Sequence, residues 1–197
     1  MEACDAFLGH GASPRMSLVE AAASRDLPSV LTALLALDAE VGVEGEWQPI
    51  ADRVNDAGEF VPLRDAAIQR LRLAAIPDGP SGSRASSYRE AITAGVLVGV
   101  ATDIVRASGG GTGGRNEAGG PIASAHVTIC GAAAQPLHAR QVEATLRGRR
   151  PSGALIQLAS ETAAQEAQPF GSGTTLDPSV IAAVRDITRQ ALTASLL

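Results

Sequence analysis

Residues 129–148, ICGAAAQPLHARQVEATLRG, constrain this chain more than any other stretch. Ile129 and Cys130 end an apolar strand. A run of small residues then leads into Pro136, which can continue neither a strand's ladder nor a helix interior. A helix follows, carrying Ala139, Glu143 and Leu146, and Gly148 closes it as the residue that tolerates the left-handed stop. The stretch therefore predicts strand, tight break and helix, in that order.

The rest of the chain has to build around that unit. With 197 residues it forms one large domain or two small ones, long enough to bury a sizeable core. Apolar residues make up 45% and aromatics only 3%, so the core must be Ala, Val, Leu and Ile packed at close range. The formal charge of −5 speaks against nucleic acid as a partner. All 16 basic residues are Arg, a codon bias that suggests a GC-rich bacterial source. No run of about 20 apolar residues predicts a membrane span. The acidic start, MEACDAFLGHG, does not read as a secretory signal. A cytoplasmic location is the expectation.

Residues 1–16 lack periodicity and read as a loose segment. Residues 17–38 contain a helix, capped by Asp26, with Pro28 in its first turn and Leu31, Leu34 and Leu35 on its apolar side. A short strand is expected at 39–43 and another at 71–76, stopped by Pro77. Residues 78–87 read as a turn or loop. The apolar run 91–107 fits a buried helix or a strand by periodicity alone; the reading here is a short helix through Val98 and then a strand through Val105. The glycine-rich stretch 108–120 should be a hairpin connection, with 122–130 as the returning strand. Three helices follow, at 139–147, at 154–167 with Leu155, Leu158 and Ala159 inward, and at 178–195. The last has Asp177 as cap, Pro178 at its first position, and Ile181, Val184, Ile187 and Ala191 as its stripe. The class is α+β: a small antiparallel sheet packed on one side by C-terminal helices, preceded by a partial α/β subdomain.

The order and spacing of these pieces resemble the FAD-binding (medium) subunit of molybdenum hydroxylases, the carbon-monoxide and xanthine dehydrogenase family. SRDLPSVLTALLALDAEV at 24–41 resembles the second half of that subunit's middle subdomain. LRLAAIP at 71–77 and SSYREA at 86–91 follow in the family's order. The pattern G-x-A-x-x-P-x-x-A-x-x-x-E-x-x-L-x-G closes it at 131–148. The resemblance implies a partial FAD-binding middle subdomain at 17–85 and a flavoprotein C-terminal-like domain at 86–197. It implies an oxidoreductase role in electron transfer through FAD, with molybdopterin-binding and iron–sulfur subunits as partners.

Carried over residue by residue, it makes Ser17, Asp26, Leu63 and Arg89 the cofactor-binding candidates. Each also has a plainer role: a turn hydroxyl, a helix cap, a core leucine and a solvated strand residue. Two departures bear on FAD. No glycine-rich flavin subdomain stands before residue 17. Arg15 and Met16 occupy the place of two family glycines, where backbone must approach the cofactor closely. The alternative is therefore a non-catalytic α+β docking module that has lost FAD and whose exposed faces form a homodimer or partner surface.

Other chemistry finds little support in the residues. His10, His126 and His138 lack a metal-ligand pattern. GGGTGG at 109–114 has no lysine and precedes a strand, so it is no phosphate loop. Cys130 reads as a buried thiol, and Arg147, Arg149 and Arg150 as a solvated helix end. No catalytic triad spacing is visible.

Overall fold

The computed structural model describes residues 28–43, 46–54, 70–73, 82–107, 120–133, 136–167 and 176–197. Helix α1 (Pro28–Ala36) opens them. A three-stranded antiparallel sheet follows, in the order β2-β1-β3, from β1 (Glu40–Val43), β2 (Glu46–Pro49) and β3 (Arg70–Arg72). A 3-10 turn at Ile50–Arg53 follows β2. The second sheet is antiparallel with order β4-β5-β6-β7, from β4 (Gly82–Thr93), β5 (Val96–Ala107), β6 (Ile122–Cys130) and β7 (Leu137–His138). Helices α2 (Arg140–Leu146), α3 (Gly153–Glu166) and α4 (Pro178–Leu196) complete the chain. No described helix is long and apolar enough to cross a membrane.

Most expected elements are present, and four expectations are corrected. There is no helix at 91–98. That stretch is the end of β4, the two-residue turn Ala94-Gly95 and the start of β5. A continuous apolar run has no period, and pairing with a neighbouring strand settled it. Residues 82–87, read as loop, form half of β4. Leu158 points outward at 47% exposure, and Ile156 takes the inward place. On α4 the buried stripe begins at Val180, and Ile181 is only half-buried. The glycine-rich connection itself lies outside the described residues, but the strands flanking it pair antiparallel, as a hairpin requires.

The β4–β5 turn holds both residues at positive φ, Ala94 at 48° and Gly95 at 76°. This is the twist-matched hairpin turn, which favours Asn or Gly at its first position. Alanine there carries the left-handed penalty of its Cβ. Ala94→Asn should raise stability by about 0.5–1 kcal/mol. A urea midpoint unchanged or lowered by the substitution would show the turn to be otherwise.

The three C-terminal helices cover one face of the sheet, as expected. Val98, Val100 and Ile104 of β5 and Val127 and Ile129 of β6 pack with Val142, Leu146, Ala159, Val184, Ile187 and Leu192 of the helices. With few aromatics, close approach does the work. Buried hydroxyls fill the remaining gaps: Ser87 donates to the Ala191 carbonyl at 2.8 Å, and Thr102 lies 2.8 Å from Ser195. Helix α1 packs on the other face, against β5 and β6.

The motif at 131–148 now has physical reasons. Gly131 has φ 83°, and a Cβ there would stand 2.0 Å from the Leu97 carbonyl oxygen. Beyond it the chain returns along the outer edge of β6 and closes it. β7 pairs with Thr128 and Ile129. The Ala139 N–H donates to the Val127 carbonyl at 2.8 Å, and the Glu143 carboxylate accepts from the Val127 N–H at 2.9 Å. Gly148 N–H donates to the Ile122 carbonyl, and Ile122 N–H to the Arg149 carbonyl. An edge strand is thereby sealed against foreign pairing. Glu143→Ala would orphan the Val127 N–H and should cost about 1.5 kcal/mol, with Glu143→Gln, which keeps an acceptor, costing less. Equal denaturation midpoints for the two variants would contradict this role.

Candidate functional site

The sheet face toward α1 is the polar one. Strand alternation places Arg84, Ser86, Tyr88 and Glu90 of β4 on it, with Gly99, Ala101 and Asp103 of β5, and His126, Thr128 and Cys130 of β6. Asp103 is 3% exposed. Its carboxylate accepts from Arg84 Nε at 2.8 and 3.0 Å and from Ser86 Oγ at 2.6 Å, and Arg84 Nη2 lies 2.8 Å from Oδ2. The hydrogen bonds to Asp103 hold the Arg84 guanidinium above its ordinary pKa; burial opposes this, and the charges of Asp103 and Asp38 add to it. His126 stands opposite Asp103 in register. Its Nδ1 is 3.3 Å from a carboxylate oxygen of Asp38, just past the end of α1. Polar groups thus run from β4 through β5 and, by His126 of β6, to the residue just past α1.

A second group lies further along the same face. Cys130 is buried. Burial pushes its thiol up, against the hydrogen bonds of the Thr32 side chain, the Gly99 backbone and the Tyr88 side chain. Tyr88 donates to Glu90 at 2.7 Å. Gly99 makes the space, since a Cβ there would meet the Tyr88 hydroxyl at 2.4 Å and the Cys130 sulfur at 2.9 Å. A thiol held protonated and buried is a poor nucleophile. Among the described residues no group of three or more His, Cys, Asp or Glu could hold a metal ion. Both groups join α1 to the sheet, and neither pairs a nucleophile with a base.

Of the sequence candidates, Ser17, Asp26 and Leu63 lie outside the described residues. Arg89 is described, exposed, and on the opposite face from Asp103. Its Nη1 donates to the Tyr88 carbonyl at 2.8 Å. It borders a shallow depression of about 530 Å³ with Arg189, Gln190, Thr193 and Ala194 of α4. Sequence reasoning missed Arg84 and Asp103. The available signal was a lone carboxylate inside the apolar run VGVATDIV, which must find a partner if buried.

Residues 90–179 match the family model of the CO dehydrogenase flavoprotein C-terminal domain. A search of curated proteins finds no match. Among solved structures, the chain is similar to one of carbon monoxide dehydrogenase from Hydrogenophaga pseudoflava that lacks the Mo-pyranopterin moiety of the molybdenum cofactor. Identity is 20% and the TM-score 0.66, over 93% of this chain and 63% of that one. It is similar to quinoline 2-oxidoreductase from Pseudomonas putida 86 at 16% identity and TM-score 0.67, over 100% of this chain and 67% of that one. A reconstituted CO dehydrogenase from Oligotropha carboxidovorans gives 17% identity and TM-score 0.61, over 91% and 60%. These likenesses establish the fold, and the chain spans about three fifths of the length of the CO dehydrogenase chains.

Proposed function

We propose that the chain is a relative of the FAD-binding subunit of molybdenum hydroxylases and a flavin-subunit component of such an oxidoreductase, a reading supported by the match of residues 90–179 to the CO dehydrogenase flavoprotein C-terminal domain and by the fold likenesses. Its described part serves as scaffold. The partners would be the iron–sulfur and molybdopterin-binding subunits, between which bound FAD relays electrons. The observation that carries this reading is the domain match together with the packing of Gly131 against β5 and the bonding of Ala139 and Gly148 N–H to β6 in the 131–148 motif.

The described residues do not themselves fit FAD. The pyrophosphate needs backbone that it can approach, and the ring system needs an apolar slot. Gly99 and Gly131 are packed against protein atoms, and Gly95, Gly148 and Gly153 stand in open space and form no cradle, with nothing within 4 Å of an added Cβ. The depression at Arg89 is lined by two arginines, Gln190, Thr193 and Ala194, with no aromatic or large aliphatic side chain. Flavin contact by this chain would therefore fall to segments that include Ser17, Asp26 and Leu63, and no electron-transfer step is assigned to the residues described.

The test is an absorbance spectrum of the purified chain after incubation with excess FAD and gel filtration, alone and co-expressed with its partner subunits. The scaffold reading expects no retained flavin bands for the chain alone and a stable complex on co-expression. Flavin retained by the lone chain would overturn the scaffold reading in favour of an autonomous flavin site. Absence of any complex would favour the non-catalytic module.

A further inference from the structure

The segment Arg147-Gly148-Arg149-Arg150 joins α2 to α3, and its three arginines are exposed. Among the described residues their side chains have no hydrogen-bond or ion-pair partner, and Arg140, at the other end of α2, likewise has none. Arginines elsewhere do. On the sheets Arg72 bonds Glu40, Arg84 bonds Asp103 and Arg106 bonds Ser83. On α4, Arg185 lies 3.9 Å from Glu161 and Arg189 3.5 Å from Asp186. The backbone beneath the cluster is fixed. Gly148 N–H donates to the Ile122 carbonyl at 2.8 Å, Ile122 N–H to the Arg149 carbonyl at 2.9 Å, and Arg149 N–H to the Leu146 carbonyl at 3.2 Å. Ser152 then caps α3. Stability does not call for these charges. Arg147 meets the favourable end of the α2 dipole, but that effect fades beyond the last turn. Arg149 and Arg150 come just before the N-terminus of α3, which has no acid in its first turn and where a cation is unfavourable. Three like charges so close in sequence also repel one another.

We propose that the loop 147–150 is a docking site for a carboxylate-rich segment of a partner protein. A guanidinium presents the donor fork that matches a carboxylate, and it is more weakly hydrated than an ammonium. Because the backbone is already held to β6 and to the α3 cap, binding has only side chains to order. The exposure of all three arginines suits a macromolecular surface, whereas a small ligand is held in a concave, enclosing site. The net charge of −5 disfavours nucleic acid as the occupant. On so acidic a chain, a cluster of uncompensated cations also steers an acidic partner to one place and orientation. The loop would dock such a segment whether or not the chain serves a flavin enzyme.

The test adds oligoglutamate to the full chain at low salt and follows the arginine Nε–H resonances by NMR. Shifts are expected at Arg147, Arg149 and Arg150 and not at Arg185 or Arg189, and roughly 0.5 M salt should abolish them. Arg149→Gln combined with Arg150→Gln should weaken binding about tenfold. Arg185→Gln combined with Arg189→Gln changes the net charge equally and should weaken it less than about twofold. Arg149→Lys combined with Arg150→Lys keeps the charge but loses the fork, and should fall between the two. The Arg149 and Arg150 side chains bond no described residue, so their variants should keep the wild-type urea midpoint. No shift at low salt would overturn the proposal. So would equal losses in the two glutamine variants, which would reduce binding to net charge. Tighter binding of inorganic phosphate or of phosphatidylglycerol vesicles than of oligoglutamate would overturn it in favour of a phosphate ligand.

Discussion

Gly131→Ala should cost about 3–5 kcal/mol, a large share of the stability of an ordinary domain. Two effects combine there. The backbone at φ 83° disfavours any Cβ, and the Cβ would stand 2.0 Å from the Leu97 carbonyl oxygen and 3.0 Å from the Val98 Cα. Those neighbours are backbone of β5, a strand paired on both sides, and cannot step aside cheaply. Gly148→Ala is the control. Its φ is 75°, but a Cβ there meets nothing within 4 Å, so only the conformational penalty of about 1–2 kcal/mol applies. Urea denaturation of both variants separates strain from collision. Similar losses for the two would mean that β5 yields to the added methyl.

The second large effect is expected at Asp103. Removing it takes from Arg84, whose side chain is 12% exposed, the carboxylate it bonds most closely on the polar face. Breaking one partner of a buried pair costs about 3–5 kcal/mol. Asp103→Ala should therefore destabilise by about 3 kcal/mol, since Arg84 keeps some access to water. Arg84→Met in the Asp103→Ala background should recover part of that loss, because the half-buried cation that lost its carboxylate is gone. A double-mutant cycle by thermal or urea denaturation reads the coupling directly. Strictly additive losses would reduce the pair to the standing of a surface contact.

The elements with local signatures were legible. Asp177-Pro178 starts α4, and the Asp177 carboxylate accepts from the Ser179 hydroxyl at 2.6 Å and the Ser179 N–H at 2.8 Å, bonds that hold its carboxyl below the ordinary carboxylate value. Ser152 caps α3 by accepting from the Leu155 N–H at 3.1 Å. Gly148 stops α2. Strand β6 runs from Ile122 to Cys130, the bounds expected for the returning strand. The hairpin at 82–107 was not legible. Its first strand, GSRASSYREAIT, has the small polar composition of a loop, and its second is apolar without a period. Each becomes a strand only because the other is there to bond.

The candidate site divides along the same line. Arg89 was named from resemblance, and its place on β4 turned it to the face away from Asp103. The pairing of Arg84 with Asp103 spans 19 residues and depends on the β4–β5 register. Helix α2 makes the point most plainly. It is seven residues long, and its cap residue Ala139 has no side-chain acceptor to offer. The carboxylate of Glu166, from the far end of α3, accepts from the Gln141 N–H at 3.0 Å and the Val142 N–H at 3.3 Å instead. What sequence alone determined are the choices closed within a few residues, where a cap, a proline or a glycine acts on its own neighbours. Which strands pair, which face a charge takes and who caps α2 were left to the tertiary structure, because those partners come together only after the chain has folded.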